Sequence, residues 1–122
     1  MRVFSLLFLV VISNFSYAHD AAKVPSLGSW YKDLDKSVSA CKLQSLYKVK
    51  DIGVLNIVKT DFGIYGAYKG NRVVVKCMAR GEKSTLLVMV AGSDHDSVEA
   101  IRNRLVKVII LGFYNNGYQI VP

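Results

Sequence analysis

Three apolar runs, Phe62–Lys69, Arg72–Ala79 and Ser84–Ala91, follow one another with only two short interruptions. Lys69-Gly70-Asn71 and Arg80-Gly81-Glu82-Lys83 have hairpin length, and Gly and Asn tolerate the positive φ that tight hairpins need. Valine-rich runs joined by turns this short must pair with their neighbours as an antiparallel β-meander. Everything else in the chain has to cover or extend that sheet.

In the middle run, Val73, Val75 and Cys77 share one face by period-two alternation, and Val74, Lys76 and Met78 share the other. Upstream, a helix is expected from Asp33 or Asp35 to about Lys50. Early aspartates with Lys48 and Lys50 in the last turn suit the macrodipole, and Gly53 is its stop. Leu34, Val38 and Cys41 follow i, i+4, i+7 on the buried side. Cys41 and Cys77, the only cysteines, therefore both point between helix and sheet, which predicts a disulfide. No CxxC spacing exists, so a thioredoxin-type role is not expected. A bridge closing a loop of about 36 residues contributes about 3–4 kcal/mol on the chain-entropy model.

Val54–Lys59 reads as a first strand. Gly63, Gly66 and Gly70 mark a bulge or a close backbone approach rather than a phosphate loop, since no Gly-Lys-Ser/Thr follows. A second helix is expected from about Asp96 to Leu111, with Val98, Ile101, Leu105, Val108 and Ile109 as its apolar stripe and Gly112 as its cap. Asp94 and Asp96 suit its N-terminus. The tail, with Asn115-Asn116-Gly117 as a turn, adds an edge strand or lies across the sheet. The order α-β-β-β-β-α gives an α+β domain: a three- to four-stranded antiparallel meander covered on one face by two helices, with one disulfide.

Residues 1–18 read as a cleaved signal peptide: Arg2, an apolar Val3–Ile12, and Ser16-Tyr17-Ala18 with small residues at −3 and −1. The apolar run is shorter than the roughly 20 residues that span a bilayer, so no transmembrane segment is expected in the mature chain. A periplasmic or secreted location follows. Residues 19–32 read as a flexible lead-in anchored by Trp30 and Tyr31, with Trp30 as a hydrophobic staple for the first helix or, alternatively, a recognition anchor, and residues 33–122 read as one domain. Removing the signal takes only Arg2, so the formal charge falls from +7 to +6. A basic exported protein suits an acidic or anionic partner.

The face away from the helices would carry Tyr65, Val74, Met78, Leu87 and Met89, more apolar than a solvated face should be. Covering by the tails, by a partner or by a second copy would explain it. With Tyr65, Tyr68, Lys69 and Arg72 of the first hairpin, and Val74, Met78 and Met89, it is the expected partner-binding surface. The acidic residues fall mostly at helix starts or turns, and no Gly-x-Ser-x-Gly elbow is present, so no catalytic set is expected. Cleavage after Ala18 would make His19 the N-terminus. Its amine and ring, with His95, suit copper(II) as an alternative cofactor. Nucleic acid is not an expected partner of an exported chain.

The runs Gly63-Ile64-Tyr65-Gly66, Val73-Val74-Val75-Lys76-Cys77, Val88-Met89-Val90-Ala91-Gly92 and Glu99-Ala100-Ile101-Arg102-Asn103 resemble small exported bacterial proteins of uncharacterised function. The resemblance covers about the latter two-thirds of the mature chain and implies fold and location only. The expected function is that of a non-enzymatic protein-binding module, of inhibitor or immunity type. The alternatives are a copper or small-ligand carrier using His19 and a homodimeric envelope protein.

Overall fold

Alternating apolar residues fold the chain into a five-stranded antiparallel sheet with two helices on one face. The structure, a computed structural model, describes residues 24–120, and side chains as far as residue 113. In chain order the elements are β1 (Ser26–Leu34), α1 (Val38–Asp51), β2 (Leu55–Lys59), β3 (Ile64–Tyr68), β4 (Asn71–Arg80), β5 (Lys83–Gly92) and α2 (His95–Ile120). The strands lie in the order β1-β5-β4-β3-β2. Residues 1–18, expected as a signal peptide, and His19 lie outside the described residues.

The meander forms as its turns dictate, and β2 adds a strand next to β3. The first strand was not expected. Part of the segment read as a flexible lead-in is β1, which pairs with β5 from Ser26 opposite Gly92 to Leu34 opposite Ser84. The sheet thus has five strands and the order is β-α-β-β-β-β-α. Trp30 and Tyr31 stand in this strand, opposite Val88 and Leu87, and Trp30 is not at the start of α1 to staple it.

Helix α1 begins later than Asp33 or Asp35. Ser37 is its N-cap, with the hydroxyl accepting from the Ala40 amide at 3.1 Å. The aspartates serve the sheet end instead. Asp33 accepts from the Thr85 hydroxyl at 2.7 Å and Asp35 from Lys83 at 2.8 Å, while the buried Ser84 hydroxyl donates to the Lys36 carbonyl at 2.7 Å. These bonds lace the β4–β5 turn to the β1–α1 connection. At its far end α1 stops as expected at Gly53. The Gly53 amide donates to Lys50 and the Val54 amide to Val49, at 3.2 and 3.0 Å, and Val49 and Val54 are both buried. That is the Schellman arrangement with its hydrophobic contact.

Helix α2 starts where Asp94 caps it, accepting from the Ser97 amide at 3.0 Å. It runs through Gly112 and the Asn115-Asn116-Gly117 turn signal to Ile120, so the expected edge strand in the tail is absent among the described residues. Gly112 is not a cap but a point of close approach. Gln44 and Lys48 of α1 fill the space a side chain there would need.

The core lies between sheet and helices. Leu86, Val88 and Val90 of β5, Val73 and Val75 of β4, Cys41 and Val49 of α1, and Val98, Leu105 and Ile109 of α2 are almost completely buried. Cys41 and Cys77 are bonded with their Cα atoms 5.9 Å apart. The disulfide fastens α1 to the middle strand of the meander. Gly66 lets β2 come close to β3: a Cβ there would collide with Val54 Cγ1 and lie 3.1 Å from the Leu55 carbonyl oxygen. The expected bulge falls in β2, between Leu55 and Val58, rather than among the glycines.

Candidate functional site

Antiparallel partners share a face, so the register lays out the side of the sheet away from the helices as rows. Leu27, Ala91, Arg72, Ala67 and Leu55 form one row across all five strands. Ser29, Met89, Val74, Tyr65 and Val58 form the next. Tyr31, Leu87 and Lys76 form a third, and Asp33, Thr85 and Met78 a fourth. Rows are spaced about 7 Å apart, and five strands span about 19 Å. Both helices lie on the opposite face, and no described element covers this one.

The result is apolar and exposed. Leu27 is 71% accessible and Tyr31 68%, while Tyr65, Val74, Met78, Leu87 and Met89 are half-buried by their neighbours alone. The central strand adds charge at alternate positions: Arg72, Lys76 and Arg80 share the face with Val74 and Met78. Arg72 and Lys76 stand about 13 Å apart along β4. Arg80 is met by Asp33, Nε to Oδ1 3.5 Å, and also donates to the Leu34 carbonyl at 3.2 Å. Lys76 Nζ lies 3.8 Å from the centroid of the Phe62 ring, which in turn lies 6.1 Å from that of Tyr65. Arg72 makes no ion pair among the described residues. Asp33 is the only carboxylate in these rows.

Of the residues expected to bind a partner, Tyr65, Val74 and Met89 stand in a single row, with Arg72 and Met78 on the same face. Tyr68 does not join them. It is three positions from Tyr65, on the opposite face, and only 7% exposed in the core. Lys69 sits at the hairpin tip with φ +49° and its Nζ 5.4 Å from the Tyr68 ring centroid. The sequence reading missed Leu27 and Tyr31, because a strand that reaches its partner across most of the chain leaves no local turn signal. Tyr31, Ser29 and Leu27 at alternate positions were the signal available.

Of the two residues expected to hold copper, His19 lies outside the described residues. His95 is largely exposed, with Nε2 3.5 Å from Glu99 Oε1 one helical turn on. Among the described residues no three His, Cys, Asp or Glu side chains are grouped to hold a metal ion. No described helix is long and apolar enough to cross a membrane. No protein-family model matches the chain, and no curated protein matches it.

Proposed function

We propose that the chain is an exported, non-enzymatic binding protein, periplasmic or secreted, whose uncovered sheet face docks on an acidic protein and occludes it, as inhibitors and immunity proteins do. The observation that carries this reading is the face itself: four registered rows with Leu27, Tyr31, Leu55, Val58, Tyr65, Val74, Met78, Leu87 and Met89 among them and a ladder of cations down the middle. Exposed apolar area of this extent is costly in water and marks interaction surfaces. The cations decide the partner's sign. Two copies placed face to face would oppose Arg72, Lys76 and Arg80 against their own kind, with only Asp33 to offset them, whereas a carboxylate-bearing surface would pair with them. A disulfide-bonded protein suits an oxidising compartment, and a scaffold held by that bond gives up little freedom on docking.

The test is a photo-crosslinking residue at Val74, in the protein exported by its native host, with the same residue at Leu43 on the helix side as control. One acidic protein captured from position 74 and not from 43, and lost in Tyr65→Ala/Arg72→Ala with the fold intact, is the expected result. Undiminished capture by that double variant would refute the assignment.

A further inference from the structure

Two helices do not cover five strands. Helix α1 lies mainly against β4 and β5, and α2 against β5 and β1, so the helix layer stops short of β3 and β2. The uncovered corner on the helix side is a groove of about 350 Å³, at the lower end of the sizes that hold small ligands. Leu43 and Leu46 of α1 form one wall, Phe62 and Ile64 the other, and Val75 and Cys77 the floor. Leu43 is 73% exposed and Phe62 46%. Leu43 thus flanks the groove with nothing among the described residues packed over it, while one side of the Phe62 ring is taken by Lys76, whose Nζ lies 3.8 Å from the ring centroid.

Lys42 from α1 and Lys59 from β2 both line this groove, and neither makes an ion pair among the described residues. The shape is set before any ligand arrives. The Cys41–Cys77 bridge ties the α1 wall to the β4 floor. Across the groove, the Thr60 hydroxyl accepts from the Phe62 and Gly63 amides at 3.1 and 3.2 Å, which fixes the turn that carries Phe62.

We propose that this groove binds a small anionic amphiphile, with its carboxylate between Lys42 and Lys59 and its alkyl or aryl body against Leu43, Leu46 and Phe62. The apolar walls select against a bare inorganic anion, because such an ion would lose hydration against carbon and meet only two cations. The lysines select against a neutral or cationic amphiphile. The volume limits the body to a single short chain or ring.

Decanoate, kept below its micelle concentration, is the probe, titrated into the oxidised full chain with amide chemical shifts as readout. Saturable shifts at Ser39, Leu43, Thr60 and Gly63, with Val74 and Met89 silent, are expected. Lys42→Ala/Lys59→Ala should weaken decanoate about tenfold while leaving decanol binding unchanged, since two exposed ion pairs are lost and the apolar contact is kept. Leu43→Glu, which sets a carboxylate at the mouth, should abolish decanoate binding. Both lysines are exposed, so their removal leaves the unfolding midpoint in place. An unsaturable response, equal decanoate affinity in the double variant, or shifts centred on Val74 and Met89 would each overturn the proposal. The groove opens on the helix side and meets the open sheet face only at Phe62, whose ring contacts Lys76 and Tyr65; the responses of Leu43 and Ser39 on one side and of Val74 and Met89 on the other keep the two readings distinguishable.

Discussion

Val54 Cγ1 occupies the place where a side chain on Gly66 would begin. Val54 is buried, closes the α1 cap and cannot swing aside, since a β-branched side chain has few rotamers. Gly66→Ala should therefore destabilise the protein by about 1–3 kcal/mol through overpacking. Urea unfolding measures it directly. A variant as stable as the parent would mean that β2 shifts without cost.

The disulfide closes a separation of 36 residues, and the chain-entropy model gives it about 3–4 kcal/mol. Cys41→Ala/Cys77→Ala should lose about that much, plus a smaller amount for the packing of the two sulfurs. The denaturant midpoint of the double variant, compared with the oxidised parent, reads the loss.

Ser84 is buried completely and donates to the Lys36 carbonyl. Ser84→Ala leaves that acceptor without its donor and should cost about 1–3 kcal/mol. Hydrogen exchange should quicken first at the β1–α1 connection, because that bond fastens the connection to β5.

Asp35 is held below the ordinary carboxylate range by the hydrogen bond from Lys83 and then by the charge of that ammonium, against a slight opposing effect of burial. As pH falls, the unfolded chain takes up this proton first, near pH 4. The contribution is therefore complete above that pH and is lost as pH drops through the lower folded value. Asp35→Asn should lower Tm slightly at neutral pH. The gap from the parent should close once acid protonates the carboxyl of the folded chain, and it should narrow in high salt because the pair is exposed. A gap that persists in strong acid would place the effect elsewhere.

Arg72 is exposed on the sheet face and has no ion pair among the described residues. Arg72→Glu should leave the unfolding free energy within about 0.5 kcal/mol of the parent and should sharply reduce capture of an acidic partner. Crosslinking yield from position 74, measured at low and high salt, separates electrostatic docking from purely apolar contact.

The meander was legible because each of its contacts is local. Gly70 and Gly81 fix two turns, alternation fixes the faces, and Cys41 and Cys77 could be paired because a helical and a strand periodicity both pointed them inward. The same alternation placed Tyr65, Val74 and Met89 on one face. Where the sequence misled, the deciding contact was distant. Asp33 and Asp35 resemble helix-starting residues until Thr85, Arg80 and Lys83 are brought to them. Gly112 resembles a stop until α1 is laid against it. Tyr68 resembles a surface aromatic until its position, three from Tyr65, is counted. The groove beside Lys42 and Lys59 had no local trace, because it is a shortfall of helix over sheet.

The first described strand pairs with the last. Ser26 meets Gly92, so β1 closes a long loop onto β5, and contacts so distant in sequence form slowly. Until then the inner edge of β5 offers a full row of unpaired amides and carbonyls, and β1 of a neighbouring molecule fits it as well as the chain's own. Assembly therefore has a vulnerable late stage. A crowded population caught at it would exchange first strands between molecules, producing linked pairs whose number rises with concentration during refolding and not with concentration afterwards.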